Sequence, residues 1–229
     1  PEIKFIEDAA QGFGAKYQNQ NLGSLGLLGC ISFHPTKNIH AGFGGMLLMD
    51  EKIDFDKASF VYERGTDRKK VVAGLKNKYE WVDIGSSFEI TELSAAVLQA
   101  QLIDHEKIIK IKKEIYYRYL ENLKELIDAE VLIVQKLHGE VSINFHSFYI
   151  ILKEDCNSFL ESLKSEYGIQ SYIGYVPLHN SKYGKKNNLN KKLKITEEIS
   201  NKVVRLPIHT GLKNKDIDYI SDSIKNILL

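Results

Sequence analysis

The sequence predicts an α/β fold in two parts, residues 1–105 and residues 106–229, on three observations. Short apolar runs end in polar or charged residues, as strands do at the edge where an open α/β sheet keeps its sites. A helical stripe extends from Thr91 past Leu123, longer than one ordinary helix, so a bend near His105 marks the boundary. Strand-like and helical patterns then alternate to Leu229.

Ile3 to Ile6 is the first apolar run and ends in Glu7-Asp8; Leu27 to Phe33 is the second and ends in His34-Pro35. Both read as buried strands. Met46 to Met49 is a third, entered through Gly42, Gly44 and Gly45, and Lys52 to Glu63 reads as helix. Gly65 to Ser87 is polar and turn-rich, a long excursion. Thr91 is placed as the N-cap of a helix carrying Leu93, Ala96, Val97 and Ala100 on one face. Ile108, Ile111, Ile115, Tyr119 and Leu123 continue at helical spacing toward Ile127. Tyr116, Tyr117 and Tyr119 are better read as helix packing than as a stacking platform. Beyond them Val141 to Leu152 is alternating and β-branched, Asn157 to Tyr167 helical and Ile169 to Val176 strand-like. Helices around 195–202 and 216–229 complete a small α/β domain. Gly184 to Lys192, rich in Lys and Asn, reads as a solvated loop.

A chain of 229 residues with 43% hydrophobic content can bury a core. Its 31 Lys and Arg nearly balance 30 Asp and Glu, so charge asks for no nucleic acid, membrane surface or polyanion. A small molecule or another protein chain is the expected partner. Cys30 and Cys156 lie far apart and outside any metal-ligand spacing, so no zinc site or disulfide is expected and both read as small buried hydrophobes. No apolar run nears the roughly 20 residues of a membrane helix, and no secretory leader is visible, so a cytoplasmic location is expected. Pro1 is not a start methionine and the text from Ile3 reads as mid-strand, so residues upstream are expected to be missing.

Chemistry concentrates in Ile6-Glu7-Asp8-Ala9-Ala10-Gln11, Ser32-Phe33-His34-Pro35-Thr36-Lys37-Asn38 and Gly42-Phe43-Gly44-Gly45. Taken singly, Asp8 is an ordinary strand-end carboxylate, Lys37 a surface lysine and Ser32 a turn hydroxyl, and the glycines lack the spacing of a P-loop. Taken together they meet the needs of pyridoxal 5'-phosphate: an amine for covalent attachment, a carboxylate for the pyridine nitrogen and donors for the phosphate. Lys37, Asp8 and Ser32 supply these. The carboxylate matters because a charge-assisted hydrogen bond keeps the ring protonated and electron-withdrawing. His34 and His40 flank Lys37, but nearness in sequence does not establish reach.

This ordered set resembles the DegT/DnrJ/EryC1/StrS family of sugar aminotransferases, and within it the branch making dTDP-4-amino-4,6-dideoxygalactose. Tyr79-x-Trp81-x-Asp83-Ile84-Gly85-Ser86-Ser87, Glu92-Leu93-x-Ala95-Ala96, Tyr175-x-Pro177-Leu178-His179 and Arg205-Leu206-Pro207 extend the resemblance over the whole chain. It implies the C-terminal part of a fold-type I pyridoxal phosphate-dependent transferase, a partial large-domain sheet plus a small α/β domain. It implies Lys37 as the cofactor-bearing lysine and proton shuttle, Asp8 as the pyridinium partner, Gln11 near the ring and its phenolic oxygen, and Ser32 as a phosphate ligand. Ser87 aligns with an asparagine that, in relatives, reaches the neighbouring subunit's phosphate; serine keeps a hydroxyl but shortens the reach. His179 falls on a turn that lies near the substrate in relatives. Phe43 stands where the family's Gly-Glu-Gly-Gly has its glutamate.

The implied reaction has two halves: glutamate, as amino-acid donor, aminates the cofactor, which then aminates a nucleotide-linked keto-sugar, in a homodimer. Three rivals stand beside it. Family members that dehydrate sugars lack the lysine, so Lys37 argues against that chemistry. A catalytically incomplete chain needing an N-terminal partner is a second rival, because relatives carry a long segment before the strand at Ile3. A nucleotide-binding module without amino transfer is the third, and it would show no near-visible absorbance with the cofactor.

Overall fold

The structure is a computed structural model that describes residues 3–189 and 191–229. Pro1, on which the expectation of missing upstream residues rested, and Asn190 lie outside the described residues. The chain forms two compact units, Pro1–His105 with Glu140–Asn144, and Glu106–Gly139 with Phe145–Leu229.

The first unit contains strands β1 (Ile6–Asp8), β2 (Lys16–Tyr17), β3 (Gln20–Asn21), β4 (Leu28–Ser32) and β5 (Gly45–Met49). Strand β4 is central, parallel to β1 with Asp8 opposite Cys30, and antiparallel to β5 with Ser32 opposite Gly45. The first strand begins at Ile6, not Ile3, and it is not buried: Phe5 and Ile6 are 58% and 62% exposed. One face of this small sheet is open, and Cys30 lies on the exposed side of the β4 alternation while Gly29 and Ile31 are buried. The expectation of a buried Cys30 therefore fails, whereas Cys156 is buried. A side chain at Gly29 would run into the Gly23 carbonyl, so the loop before β4 lies directly against it. The Glu7 carboxylate fixes that loop, accepting from Gly23 N (2.6 Å) and Leu25 N (3.0 Å).

Helix α1 (Phe55–Tyr62) is capped by Asp54, whose carboxylate accepts from the Asp56 and Lys57 amides. The polar excursion that follows contains the short helix α2 (Arg68–Val72) and is pinned by buried Asp67, which accepts from Lys76 Nζ (2.5 Å) and Glu80 N (2.7 Å). Helix α3 (Glu92–Ile103) starts at Thr91, whose hydroxyl accepts from Ser94 N at 3.1 Å. Its expected apolar face is present but open: α3 has no buried residue, and Leu93 is 80% exposed.

Asp104 ends α3 and helix α4 (His105–Asn122) begins at once, the break the sequence predicts; α5 (Lys124–Asp128) carries the stripe to Ile127. Strand β6 (Leu132–Val134) follows. The chain then returns to the first unit for residues 140–144, where β7 (Val141–Ser142) pairs with β2 to make the ribbon β3-β2-β7. The run read as one strand from Val141 to Leu152 is thus two, because Phe145 adopts φ +52° and turns the chain before β8 (Phe148–Leu152). Next come α6 (Asn157–Ser165), the two-residue β9 (Tyr172–Ile173), a 3-10 turn over Leu178–Asn180, α7 (Lys182–Lys186), α8 (Lys194–Ser200), β10 (Val203–Leu206) and α9 (Asn214–Leu228). Helix α7 corrects the expected loop at 184–192: Ser181 Oγ caps it by accepting from Gly184 N at 3.0 Å.

The second unit's sheet has the order β6-β8-β10-β9, antiparallel throughout. Phe148, Ile150 and Leu152 alternate into the core, and the rings of Tyr116 and Tyr119 each lie 4.9 Å from Phe148. Leu163 of α6 and Ile217, Ile220 and Ile224 of α9 are buried with them. Each such side chain contributes roughly 1.5–3 kcal/mol. Tyr119 Oη donates to Pro207 O at 2.9 Å, and Arg118 grips Asp218 with two hydrogen bonds of 2.7 and 2.6 Å, tying α4 to α9. Among the described residues no helix is long and apolar enough to cross a membrane.

Candidate active site

Strands β1 and β4 run parallel, so their carboxyl ends lie on one edge of the sheet, and the candidate residues leave from that edge. Asp8 ends β1 with an exposed side chain; one carboxylate oxygen accepts from Ala10 N at 3.1 Å, and the turn it opens is closed by Gly12 N donating to Ala9 O at 2.7 Å. Gln11 sits in that turn with its side chain exposed. Ser32 ends β4, two residues past the partner of Asp8, or roughly 7 Å along the strand. Its oxygen accepts from His34 N at 3.3 Å, which leaves the hydroxyl proton available for another acceptor.

Lys37 follows in a loop closed at its base by Ala41 N donating to Phe33 O, and at its tip by Lys37 N donating to His34 O, both at 2.9 Å. The side chain is half-buried, and its amine makes no ion pair or hydrogen bond among the described residues. The two flanking histidines serve the loop. His34 Nδ1 lies 3.0 Å from Thr36 Oγ1, and the main chain of His40 is held on both sides by the Gln101 amide, at 3.2 and 2.8 Å. Phe43 is 77% exposed and packs edge-on against His34, ring centroids 5.6 Å apart.

Ser87 comes from the excursion before α3, opposite Glu63 in an isolated bridge. Together with 88–91 it lines an open cleft of about 560 Å³ whose other wall is Ala41 to Gly44, the far limb of the Lys37 loop. Arg64 Nη2 donates to Ser87 Oγ (3.1 Å) and to Glu89 Oε2 (2.6 Å). Sequence reasoning missed Arg64, and an arginine in a polar turn carries no signal of its partner 23 residues away.

It also missed the side chains that join the turns. Asn144 Nδ2 donates to Gln11 O (2.7 Å) and Phe13 O (2.9 Å), while Asn38 Nδ2 donates to Asn144 O (2.7 Å), and both asparagines are buried. Asn38 at least adjoins Lys37 in sequence. Nothing local marks Asn144.

His179 lies in the second unit. It is buried, not solvated, and its Nε2 lies 3.1 Å from Glu197 Oε1. That contact, followed by the Leu193 amide, holds the Glu197 carboxyl below the usual carboxylate range. Among the described residues no group of His, Cys, Asp or Glu could hold a metal ion.

The residue types fit pyridoxal phosphate. An uncommitted amine, a carboxylate with one oxygen unengaged and two hydroxyls whose protons are available are the donor and acceptor set it requires.

Comparison with known proteins gives concordant likenesses. A sequence profile of the DegT/DnrJ/EryC1/StrS aminotransferase family matches residues 1–225. The GDP-perosamine synthases of Vibrio cholerae and Escherichia coli O157:H7 are 28% and 26% identical over 98% and 96% of this chain, and 59% and 57% of theirs. The crystal structure of a DegT DnrJ EryC1 StrS aminotransferase from Brucella abortus superposes with a TM-score of 0.82 at 28% identity, covering 98% of this chain and 57% of that one. PseC of Helicobacter pylori, an aminotransferase involved in the biosynthesis of pseudoaminic acid, shares the fold with a TM-score of 0.85 at 22% identity, over 98% of this chain and 59% of that one. The chain spans somewhat under two thirds of the length of the relatives it matches.

Proposed function

The chain belongs to the DegT/DnrJ/EryC1/StrS aminotransferase family, and from that premise we propose that it carries the lysine half of a pyridoxal phosphate-dependent sugar aminotransferase site. The observation that carries the proposal is the shared strand edge, from which Asp8, Ser32 and the Lys37 loop all leave. The substrates proposed are a nucleotide-linked 4-keto-6-deoxysugar and, as donor, glutamate. The two relatives named for GDP-perosamine support a nucleotide-linked product; the motif resemblance points to the dTDP-linked 4-amino-4,6-dideoxygalactose branch. The same resemblance carries the proposal of a homodimer, and the sequence without a membrane-length apolar run carries that of a cytoplasmic location.

Bound pyridoxal phosphate supplies an electron sink for the charge left on a substrate carbon when its proton is removed. Lys37 Nζ would be the attachment point and, as a free amine, would take that proton and return it at the neighbouring carbon. Asp8 would hold the ring nitrogen, accepting a charge-assisted hydrogen bond that would keep it protonated. Ser32 would donate its hydroxyl proton to the phosphate, and Ser87 would donate its own to the phosphate of the neighbouring subunit; Arg64, which donates to the Ser87 oxygen, leaves that proton available. Gln11 lies beside the ring and its phenolic oxygen. His179, oriented by Glu197, contributes to the sugar site.

The test is the absorbance spectrum of the chain with pyridoxal phosphate, before and after borohydride, for wild type and Lys37→Ala. A reducible near-visible band in wild type and none in the variant is expected, followed by glutamate-dependent amination in a comparison of dTDP-linked and GDP-linked keto-sugars. Absence of the band from the folded wild-type chain would rule out this reading for the chain alone. A second reading would then hold, in which the chain is catalytically incomplete until a further polypeptide covers it. The exposed apolar residues Phe5, Ile6, Leu47 and Leu93 favour that reading.

A further inference from the structure

We propose that Asn144 is a positioning residue that sets the Asp8 turn and the Lys37 loop in mutual register, acting through its own side-chain amide on one side and through Asn38 on the other. The proposal rests on the reading of Asp8 and Lys37 as the cofactor-binding pair. Pairing between β1 and β4 ends with Asp8 opposite Cys30, so the ladder fixes the strand ends but not the loops beyond them. Each loop closes on itself, Gly12 N to Ala9 O in one and Ala41 N to Phe33 O in the other. These bonds set the shape of each loop; between them the Phe13 and Phe33 rings pack edge-on, 6.0 Å apart, a contact without the directionality of a hydrogen bond.

The asparagine pair supplies the directional constraint. Both protons of the Asn144 amide are used, on Gln11 O at 2.7 Å and Phe13 O at 2.9 Å, just after Asp8. Its backbone carbonyl accepts from Asn38 Nδ2 at 2.7 Å, one residue past Lys37. At 7% and 9% exposure these bonds have little water to compete with them, and a mismatch would strand a buried polar group. Asn144 is itself anchored, because β7 pairs with β2 and Gln18 N donates to Glu140 O at 2.8 Å. The chemistry selects asparagine. Aspartate would turn oxygens toward two carbonyls, leucine would fill the space without bonding, and glutamine is one methylene too long.

The experiment compares Asn144→Asp, Asn144→Leu and Asn38→Ala with wild type in the full chain, with circular dichroism to verify folding. Two readouts are taken: hydrogen exchange of residues 9–15 and 33–41, and the pH titration of the near-visible band of bound pyridoxal phosphate. Both Asn144 variants are expected to speed exchange in 9–15 and in 33–41, whereas Asn38→Ala speeds it in 33–41 alone. The Asn144 variants should also weaken pyridoxal phosphate about tenfold, the size of one buried hydrogen bond, and move the midpoint of the titration. Wild-type protection in both segments overturns the proposal. So does faster exchange with unchanged affinity and an unchanged titration, because the pair would then be merely structural. If Asn144→Asp fails to fold, the selective loosening by Asn38→Ala decides. Should wild type show no band, the functional reading fails, and the exchange pattern still decides whether the two loops are coupled.

Discussion

Lys112 lies buried on α4, and burial pushes its ammonium down to about 8. The unfolded chain holds that proton up to the ordinary lysine range, so the native state gains relative stability as pH rises from about 8 to 10.5. Lys112→Met removes the titration, and the stability difference between variant and wild type should narrow across that window in urea melts at pH 7 and pH 10. At Asp8 the expected outcome is kinetic: Asp8→Asn keeps the shape but not the charge, and should lower turnover far more than it weakens pyridoxal phosphate binding. A tenfold loss of kcat would correspond to about 1.4 kcal/mol. Comparable losses in binding and turnover would argue against its role at the ring nitrogen. Asp8 and Lys37, the proposed cofactor pair, stand out in the sequence because the proposed chemistry needs those residue types in that order, and the structure places Asp8 at the carboxyl end of β1 and Lys37 in the loop that leaves the carboxyl end of β4. Asn144 does not stand out, since its acceptors lie 133 and 131 residues away. Cys30 was misread for a related reason: small apolar residues suggest burial, but only the tertiary fold decides which face of a strand is covered.

Helices were the most legible elements, because capping and stripes are local. The Thr91 cap and the break at Asp104 stand where the sequence places them. Thr91→Ala should cost α3 about 1 kcal/mol, read as faster exchange of its first-turn amides, Ser94 N foremost. Strands were read less well. β6 and β10 are three and four residues long, too short to show a period, and β9 has only two. Their pairing partners, not their own composition, make them strands. Packing is tested best on α6: Leu163 is fully buried, and Leu163→Ala should cost about 2–5 kcal/mol in urea denaturation, mostly through the cavity left behind. A cost below about 1 kcal/mol would mean that the second unit collapses to fill the space.

Across the whole molecule, burial is uneven. The second unit encloses most of the buried aromatic and branched side chains, although it too exposes Leu178 and Ile195 at 83% and 77%; the first buries few and leaves Ile84, Leu93 and Ile103 at 82%, 80% and 74% exposure. Such a surface predicts concentration-dependent association of the purified chain, and replacing Leu93 and Ile103 together with lysine should reduce it in sedimentation velocity. An unchanged distribution of species would clear α3 of that role. The sequence carried the sense of two parts, but nothing in it announces that residues 140–144 turn back to the first. That return has a consequence in time. A chain emerging from the ribosome presents Asp8 and Lys37 long before Asn144 exists, so the early strands wait, unclasped, while more than a hundred further residues are made. The loops proposed to hold the cofactor would then be among the last parts of their unit to settle, and any expression clone cut at His105 would contain both without the segment 140–144 that joins them.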